Sequence, residues 1–369
     1  MQSAVSNKSG TGIDFREIKD SREDSSIRNL KDIINQNKEE LFSELRFEIL
    51  NNNITDIEWD GYNLWITDLR KGSYISERKL SDRYVENLSI RLSNIMKTSF
   101  NRSYPILEAN TEELRISIWH ESRCGKKSIA IRKIPQKLRF GHDELVKSGY
   151  APEKIINLIE NCTKAHLNCV ICGQPHAGKT ELLKYLSTFI PANEKVGVYE
   201  DNQEIHYRMI NPGKKCVEFF VDNRFTYSQI IKAGLRHNVD WVLLSESRGR
   251  EVLDLMNSLS TGAYCMTTMH LDDVRGMPDR MYNMLGENNV THRFINNVYK
   301  YIDVAIMVEC DKMQQRKITQ AAFFTHDNES NKCTVVYESD NCASEDIPEA
   351  IVKKMKYFGI DDPYFRYIR

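Results

Sequence analysis

The sequence predicts an α/β fold, a largely parallel sheet with helices on its faces, preceded by a smaller α+β domain. Three observations predict it. From residue 151 onward, short apolar runs alternate with amphipathic stretches, the pattern of strand–helix–strand units. One of those runs leads directly into a glycine loop that opens a helix. Before residue 135, period-two alternation surrounds a single helical segment, the pattern of a mixed sheet. A length of 369 residues also fits two cores better than one.

Taken in order, residues 1–25 are polar and rich in Ser, Gly and charge, and read as a disordered tail. The α+β domain spans 26–135. Ile27, Leu30, Ile33, Ile34, Leu41, Leu45 and Ile49 recur at helical spacing and predict a leading helix over 27–50 that packs on its own domain. Alternation predicts strands at Leu64–Ile66, Leu114–Ile118 and Ile129–Ile131, and Val85, Leu88, Leu92, Ile95 and Met96 trace one helix face. Residues 136–150 follow Pro135, carry charge, and read as a linker leading to a short helix. The α/β domain, 151–369, opens with a helix at Pro152 that turns Ile155, Ile156 and Ile159 inward. Strands follow at Leu167–Cys172, Val196–Tyr199, Val217–Val221, Trp241–Leu244, Cys265–Met269 and Ile302–Val308, with helices near 226–236, 249–260 and 274–285. The stretch IPEAIVKKMKYFGI reads as a terminal packing helix.

Composition narrows the function classes. Hydrophobic residues make up 41% and charged residues 28%, with a net charge of −1. That balance suits a soluble globular protein and argues against direct nucleic-acid binding through a uniformly basic surface. No apolar run approaches the roughly 20 residues of a membrane span. The first residues lack the apolar segment of a signal peptide. The expected location is therefore cytoplasmic, with only peripheral membrane contact. Nine cysteines are scattered and expected to be reduced. Cys169 and Cys172 form C-x-x-C, but within an apolar strand and without a second pair at zinc spacing, so they read as strand residues.

The chemistry concentrates in one loop and three strand ends. GQPHAGKT, Gly173 to Thr180, fits G-x-x-x-x-G-K-[ST]. Gly173, Gln174, Pro175, His176, Ala177 and Gly178 onward to Glu181 form the expected nucleotide cradle, through the backbone N–H groups of the loop and the helix N-terminus. Gly173 and Gly178 permit the close backbone approach, Lys179 places an ammonium on the outer phosphates, and the Thr180 hydroxyl is a Mg²⁺ ligand. His176 reads as a surface filler. The expected ligands are thus ATP and Mg²⁺. VGVYEDNQEI then puts Glu200 and Asp201 at a strand end, with Glu204 just after. DWVLLSESRGREV ends four apolar residues at Ser245-Glu246, the form of a Walker B strand, with Arg248 next. CMTTMHLDD ends a strand at His270. Any one of these could be a solvated turn. Open α/β sheets, however, bind ligands beyond the carboxyl ends of their strands, and here several such ends carry polar groups.

In this order, the boxes resemble the type II/type IV secretion ATPase superfamily. GQPHAGKT resembles its Walker A, VYEDNQEI its Asp box, GLRHNVDWVLLSESRGREVLDLMNSLSTG its Walker B stretch, and CMTTMHLDD followed by Arg280 its His box. ITDIEWDGYNLWITDLRKGSY and RISIWHESRCGKKSIAIRK resemble the family's N-terminal domain, and the likeness extends downstream through VYKYIDVAIMVE and RKITQAAFF, so that it covers about residues 30–325. The compact N-terminal domain and the lack of a four-cysteine insert are most similar to the Tad/Flp-pilus and conjugation branch. The resemblance implies a RecA-like phosphate-loop ATPase domain in a homohexamer. It implies Mg-ATP hydrolysis that drives an inner-membrane platform protein from the inner face of the cell membrane. It implies that Lys179 and Thr180 bind phosphate and Mg²⁺, that Glu200 and Asp201 polarise the water, and that Glu246 is the Walker B glutamate, reaching Mg²⁺ partly through water. It further implies that His270 senses the γ-phosphate, that Arg248 stabilises charge, and that Arg132, Arg236 and Arg280 are arginine-finger candidates. Gln174, Pro175 and His176 replace a loop richer in glycine and threonine. Ser245 replaces a glycine before Glu246, Val239 a proline and Leu271 an alanine. Two alternatives stay open: a conjugative type IV secretion ATPase for DNA transfer, and a nucleotide-binding scaffold with little turnover.

Overall fold

A computed structural model describes Ile34 and residues 37–367, apart from 112, 223, 287–292, 312–314, 328–329 and 340–345. The expected tail, 1–25, and the first part of the leading helix lie outside the described residues. The chain forms two compact units that divide between Ile134 and Pro135, with Leu69–Gly72 assigned to the second.

The first unit is a six-stranded sheet in the order β3-β2-β1-β6-β5-β4. Its strands are β1 (Ile54–Trp59), β2 (Leu64–Asp68), β3 (Gly72–Ile75), β4 (Ile106–Glu108), β5 (Leu114–Trp119) and β6 (Ser128–Lys133). Pairings of β1 with β2 and β6, and of β5 with β4 and β6, are antiparallel. Ile57, Ile66, Ile116, Ile118, Ile129 and Ile131 share one face and bury it under α1 (Asp82–Ile95), which presents Val85, Leu88 and Leu92. Ser81 caps α1 by accepting from Tyr84 N. The leading helix is not continuous. It breaks into Lys38–Leu41, a 3-10 turn at Ser43–Leu45, and Arg46–Leu50. The Phe42 carbonyl is taken by Tyr84 Oη at 2.9 Å and by Leu45 N, and Arg78 takes the Glu44 carbonyl, so acceptors that a straight helix needs are diverted. Ile34, Phe42, Leu45 and Ile49 are buried in the unit's own core, as the packing reading expects.

The second unit is an eight-stranded sheet in the order β14-β13-β12-β7-β11-β10-β8-β9. Its strands are β7 (Cys169–Cys172), β8 (Val196–Glu200), β9 (Cys216–Phe220), β10 (Trp241–Leu244), β11 (Tyr264–Met269), β12 (Val304–Cys310), β13 (Arg316–His326) and β14 (Asn331–Glu338). The run from β12 through β9 is parallel, and β13 and β14 continue it antiparallel. Strand residues alternate between two cores. Ile171, Val198, Leu243, Met266 and Ile306 face α2 (His142–Lys147), α3 (Glu153–Lys164), α4 (Lys179–Ser187) and α9 (Glu349–Tyr357). Val170, Cys172, Leu244, Cys265 and Met307 face α5 (Tyr227–Gly234), α6 (Glu251–Ser260), α7 (Met277–Asn283) and α8 (Arg293–Tyr301). Burial on both faces explains why these strands read as continuous apolar runs.

Two features differ from the sequence expectation. Residues 136–150 are no free linker, since Leu145 and Tyr150 belong to the second unit's core. From Ile155 on, helix α3 is buried all round, polar residues included. Its Asn157 donates to Tyr364 O at 2.9 Å, Asn161 to Pro363 O and Phe365 O at 2.9 and 2.8 Å, and Lys164 to Tyr367 O at 2.7 Å. The polar stripe of α3 thus holds the last described residues. Ile351 and Met355 of α9 are buried in the same core, as a terminal packing helix requires. Cys169 and Cys172 are buried within β7, and burial pushes both thiols up, away from the thiolate form that binds metal or reacts.

Candidate nucleotide site

Parallel pairing brings the strand ends together. Cys172 pairs with Met269, and Leu244 with both Thr267 and Tyr199, so the residues that follow β7, β8, β10 and β11 emerge along one edge of the sheet. The glycine loop leaves β7 there. Gly173 has φ 151° and Gly178 φ 98°. A Cβ on Gly173 would collide with the Val308 carbonyl, and one on Gly178 would come within 3.1 Å of Arg316 Cδ. Gly173 is therefore required by both conformation and space, and Gly178 by its left-handed φ. Gln174, Pro175 and His176 form an exposed crown, whereas Ala177 and Lys179 are buried beneath it. Helix α4 starts at Lys179, so its first N–H groups and its dipole point into the loop.

Lys179 Nζ donates to Gly173 O at 3.0 Å and Gln174 O at 2.9 Å, and stands 3.2 Å from His270 Nδ1. Burial lowers the Lys179 ammonium from the usual lysine range, and the charges of Glu246 and Glu204 oppose that. The same Nδ1 lies 3.3 Å from Gly173 O, so the ring nitrogen faces both a donor and an acceptor and its role follows the tautomer. Its Nε2 stands 3.1 Å from Glu246 Oε1. Glu246 Oε2 lies 3.6 Å from Arg248 Nε, and Arg248 pairs with Asp201 Oδ2 at 2.6 Å. Arg248 holds the Asp201 carboxyl below the usual range against the opposing effect of burial. The Arg248 loop is itself fixed by Glu251, which accepts from Arg248 N at 2.6 Å and Gly249 N at 2.7 Å. One polar chain, Lys179–His270–Glu246–Arg248–Asp201, thus crosses four strand ends.

Other expected residues stand apart from that chain. Glu200 is 2% exposed, and its Oε1 accepts from Glu204 N at 3.0 Å and Ile205 N at 2.9 Å. Burial pushes its carboxyl up to about 8 despite those two donors. It shapes the loop after β8. The acid that this loop brings toward Thr180 is Glu204, with Thr180 Oγ1 donating to Oε2 at 3.5 Å. The side chain of Glu181 turns back to Arg139 and Lys184, at 3.5 and 3.3 Å. Both contacts use Oε1. Arg132 belongs to the first unit and pairs there with Asp56 at 2.8 Å. Arg236 and Arg280 are exposed, one in a 3-10 turn and one on α7. Two site residues went unassigned in the sequence. Glu204 carried a signal, because it is the third acid of the Asp-box pattern. Tyr227, whose hydroxyl meets Asp201 and Ser245, carried none.

The donor set fits a phosphate with a hard divalent cation. Among the described residues no three His, Cys, Asp or Glu side chains gather as a complete metal site. Thr180 Oγ1 with Glu204, and Glu246 across the loop, are oxygen donors of the kind Mg²⁺ uses when phosphate and water complete its shell.

Residues 106–354 match the family described as "Type II/IV secretion system protein". The chain belongs to that family. It is 26% identical over 234 residues to an uncharacterized protein of Bacillus anthracis, covering 63% of this chain and 53% of that one. It is 23% identical over 207 residues to a putative conjugal transfer protein of Mycobacterium tuberculosis, covering 55% of this chain and 59% of the other. The chain therefore spans little more than half the length of these curated relatives. Among solved structures, the ATPase DotB of Legionella pneumophila shares the fold, with a TM-score of 0.58 at 16% identity over 78% of this chain and 80% of DotB. The secretion-family fold, a mixed α/β architecture with the glycine loop after its central strand, is thus reached from sequence, geometry and comparison alike.

Proposed function

We propose that this secretion-family chain is an Mg-ATP-hydrolysing motor of a secretion or type IV pilus assembly machine, in the manner of the Tad/Flp branch. The observation that carries the reading is the continuous polar chain from Lys179 through His270 and Glu246 to Arg248 and Asp201 at the mouth of the glycine loop. In it, Lys179 exchanges its loop carbonyls for phosphate oxygens. Thr180, with Glu204 and Glu246, would hold Mg²⁺, which supplies charge neutralisation on the phosphates. Glu246 and His270 orient the water, and Arg248 balances charge where the phosphoryl group leaves. Arg236 and Arg280, exposed on the surface, are the candidates to act across a subunit interface in a homohexamer. The remaining arginine candidate, Arg132, lies in the first unit. No described helix is long and apolar enough to cross a membrane. Delivery of motion to an inner-membrane platform protein, from a cytoplasmic position on the membrane's inner face, completes the proposal.

The test is Glu246→Gln. Nucleotide binding measured with a fluorescent ATP analogue should stay within about threefold of wild type, while turnover falls by about a hundredfold or more. Equal background turnover in both proteins, with binding intact, would instead favour the scaffold. A second use of the same motor, DNA transfer, is supported by the similarity to a putative conjugal transfer protein. It predicts nucleic-acid binding that weakens steeply with salt.

A further inference from the structure

Ser245 stands where the family carries glycine, and the site chemistry above leaves its hydroxyl without a task. The structure gives it a partner. Tyr227, the first residue of α5, extends its hydroxyl to 3.2 Å from Ser245 Oγ, 3.2 Å from Asp201 Oδ1 and 2.9 Å from Asp201 N. A phenol has one proton to give and two lone pairs. Asp201 N can only donate, and the Asp201 carboxylate can only accept. The Tyr227 proton therefore goes to Asp201 Oδ1. Its lone pairs take Asp201 N–H and the Ser245 hydroxyl proton, which assigns Ser245 as donor. All the hydrogen-bonding capacity of the phenol is used, and burial pushes it up to about 12, so it stays protonated at working pH.

We propose that Tyr227 is a positioning residue. Its hydroxyl ties the end of β10 to the end of β8, holds Asp201 at a fixed place, and through Asp201 sets where Arg248 presents its guanidinium to Glu246. The geometry supports each link. Ser245 N donates to Tyr199 O at 3.1 Å, and Thr268 Oγ1 donates to Ser245 O at 2.7 Å, so Ser245 is itself anchored to both neighbouring strands. Asp201 receives Tyr227 on Oδ1 and Arg248 on Oδ2, so the phenol and the guanidinium share one carboxylate. A glycine at 245 would offer no hydroxyl, and a phenylalanine at 227 no acceptor. Ser245 and Tyr227 thus act as one unit, and the serine is a functional replacement. Tyr227 also lines an open cavity of about 400 Å³ with Asp222, Arg250 and Glu251.

This inference rests on the ATPase reading, and the experiment separates the two. Steady-state Mg-ATP hydrolysis is compared for wild type, Tyr227→Phe, Ser245→Ala and the double variant, each with its thermal unfolding midpoint. The expected result for Tyr227→Phe is a kcat lower by about fivefold or more with KM within about twofold, the signature of a group that acts in the transition state without contributing to ground-state binding. Its unfolding midpoint should stay within about 2 °C of wild type. Adding Ser245→Ala should then cost little more, because the second hydroxyl has already lost its partner. A Tyr227→Phe protein with wild-type kcat would overturn the inference while leaving the ATPase reading intact. So would additive losses in the double variant, or a lowered midpoint with unchanged kcat per folded molecule. A wild type that neither binds nor hydrolyses Mg-ATP would remove the reading on which it rests.

Discussion

Lys179 and Glu200 show how differently two polar residues along one edge of the sheet are used. Lys179 is buried with its ammonium held by two loop carbonyls and faced by carboxylates, so it is poised to trade those carbonyls for phosphate. Glu200 is buried with its carboxyl turned into its own loop. Its folded pKa of about 8 lies above the ordinary 4.5. The folded chain therefore binds more protons than the unfolded one between those values, and this group's contribution to stability falls as pH rises through that window. Glutamine offers the same accepting oxygen without the charge. Glu200→Gln should therefore unfold at a higher temperature than wild type, by a margin that widens from about pH 5 to about pH 8; a margin that narrows would contradict this placement. Because Glu204 is the acid brought to Thr180, Glu204→Gln should lower turnover at least tenfold more than Glu200→Gln does, roughly the effect of losing a charged transition-state partner. Steady-state rates for the two variants decide it. The glycine loop, Glu246 and His270 were legible in the sequence, since each follows an apolar strand. The division of labour between Glu200 and Glu204 was not, because it depends on which way a loop turns after its strand.

Elements were legible where one physical demand dominates. Trp241–Leu244 was bounded correctly because a strand buried on both faces must be apolar throughout. Strands β1, β3, β4, β13 and β14 were missed: β3, β4 and β14 lie at sheet edges, β1 is half-exposed, and in β13 the polar run Lys317, Thr319 and Gln320 interrupts the alternation. Helix α3 was found from Ile155, Ile156 and Ile159, but its buried polar stripe pointed to no partner in sequence, since the carbonyls it serves lie some 200 residues away. That long-range clamp has a measurable weight. Asn161→Ala leaves the Pro363 and Phe365 carbonyls without this donor and, at roughly 0.5–1.5 kcal/mol for each lost bond, should cost about 1–3 kcal/mol in chemical denaturation. A cost near zero would mean that water replaces the amide freely.

At the scale of the whole molecule, the order of the strands does most of the functional work. Because β7, β8, β10 and β11 are parallel neighbours, motifs separated by up to about a hundred residues in sequence end on one edge. Alternating apolar runs predicted that sheet, and the ordered boxes predicted the family. Neither predicted that residues 136–150 would be packed into the second unit, because a charged segment after a proline looks the same whether it crosses solvent or covers a core. The proposed ring adds one requirement at this scale. If an exposed arginine such as Arg236 or Arg280 completes the site of a neighbouring subunit, specific activity rises with protein concentration until assembly saturates. Activity independent of concentration over the range in which mass measurements show assembly would exclude that contribution.

The central claim is that Lys179 and the loop around it bind Mg-ATP for hydrolysis. The most direct test is steady-state Mg-ATP hydrolysis by wild type beside Lys179→Ala, at concentrations high enough for assembly. Turnover that is present in wild type and reduced to background in Lys179→Ala is the predicted result; a wild type as silent as the variant, or a variant as active as wild type, would contradict it.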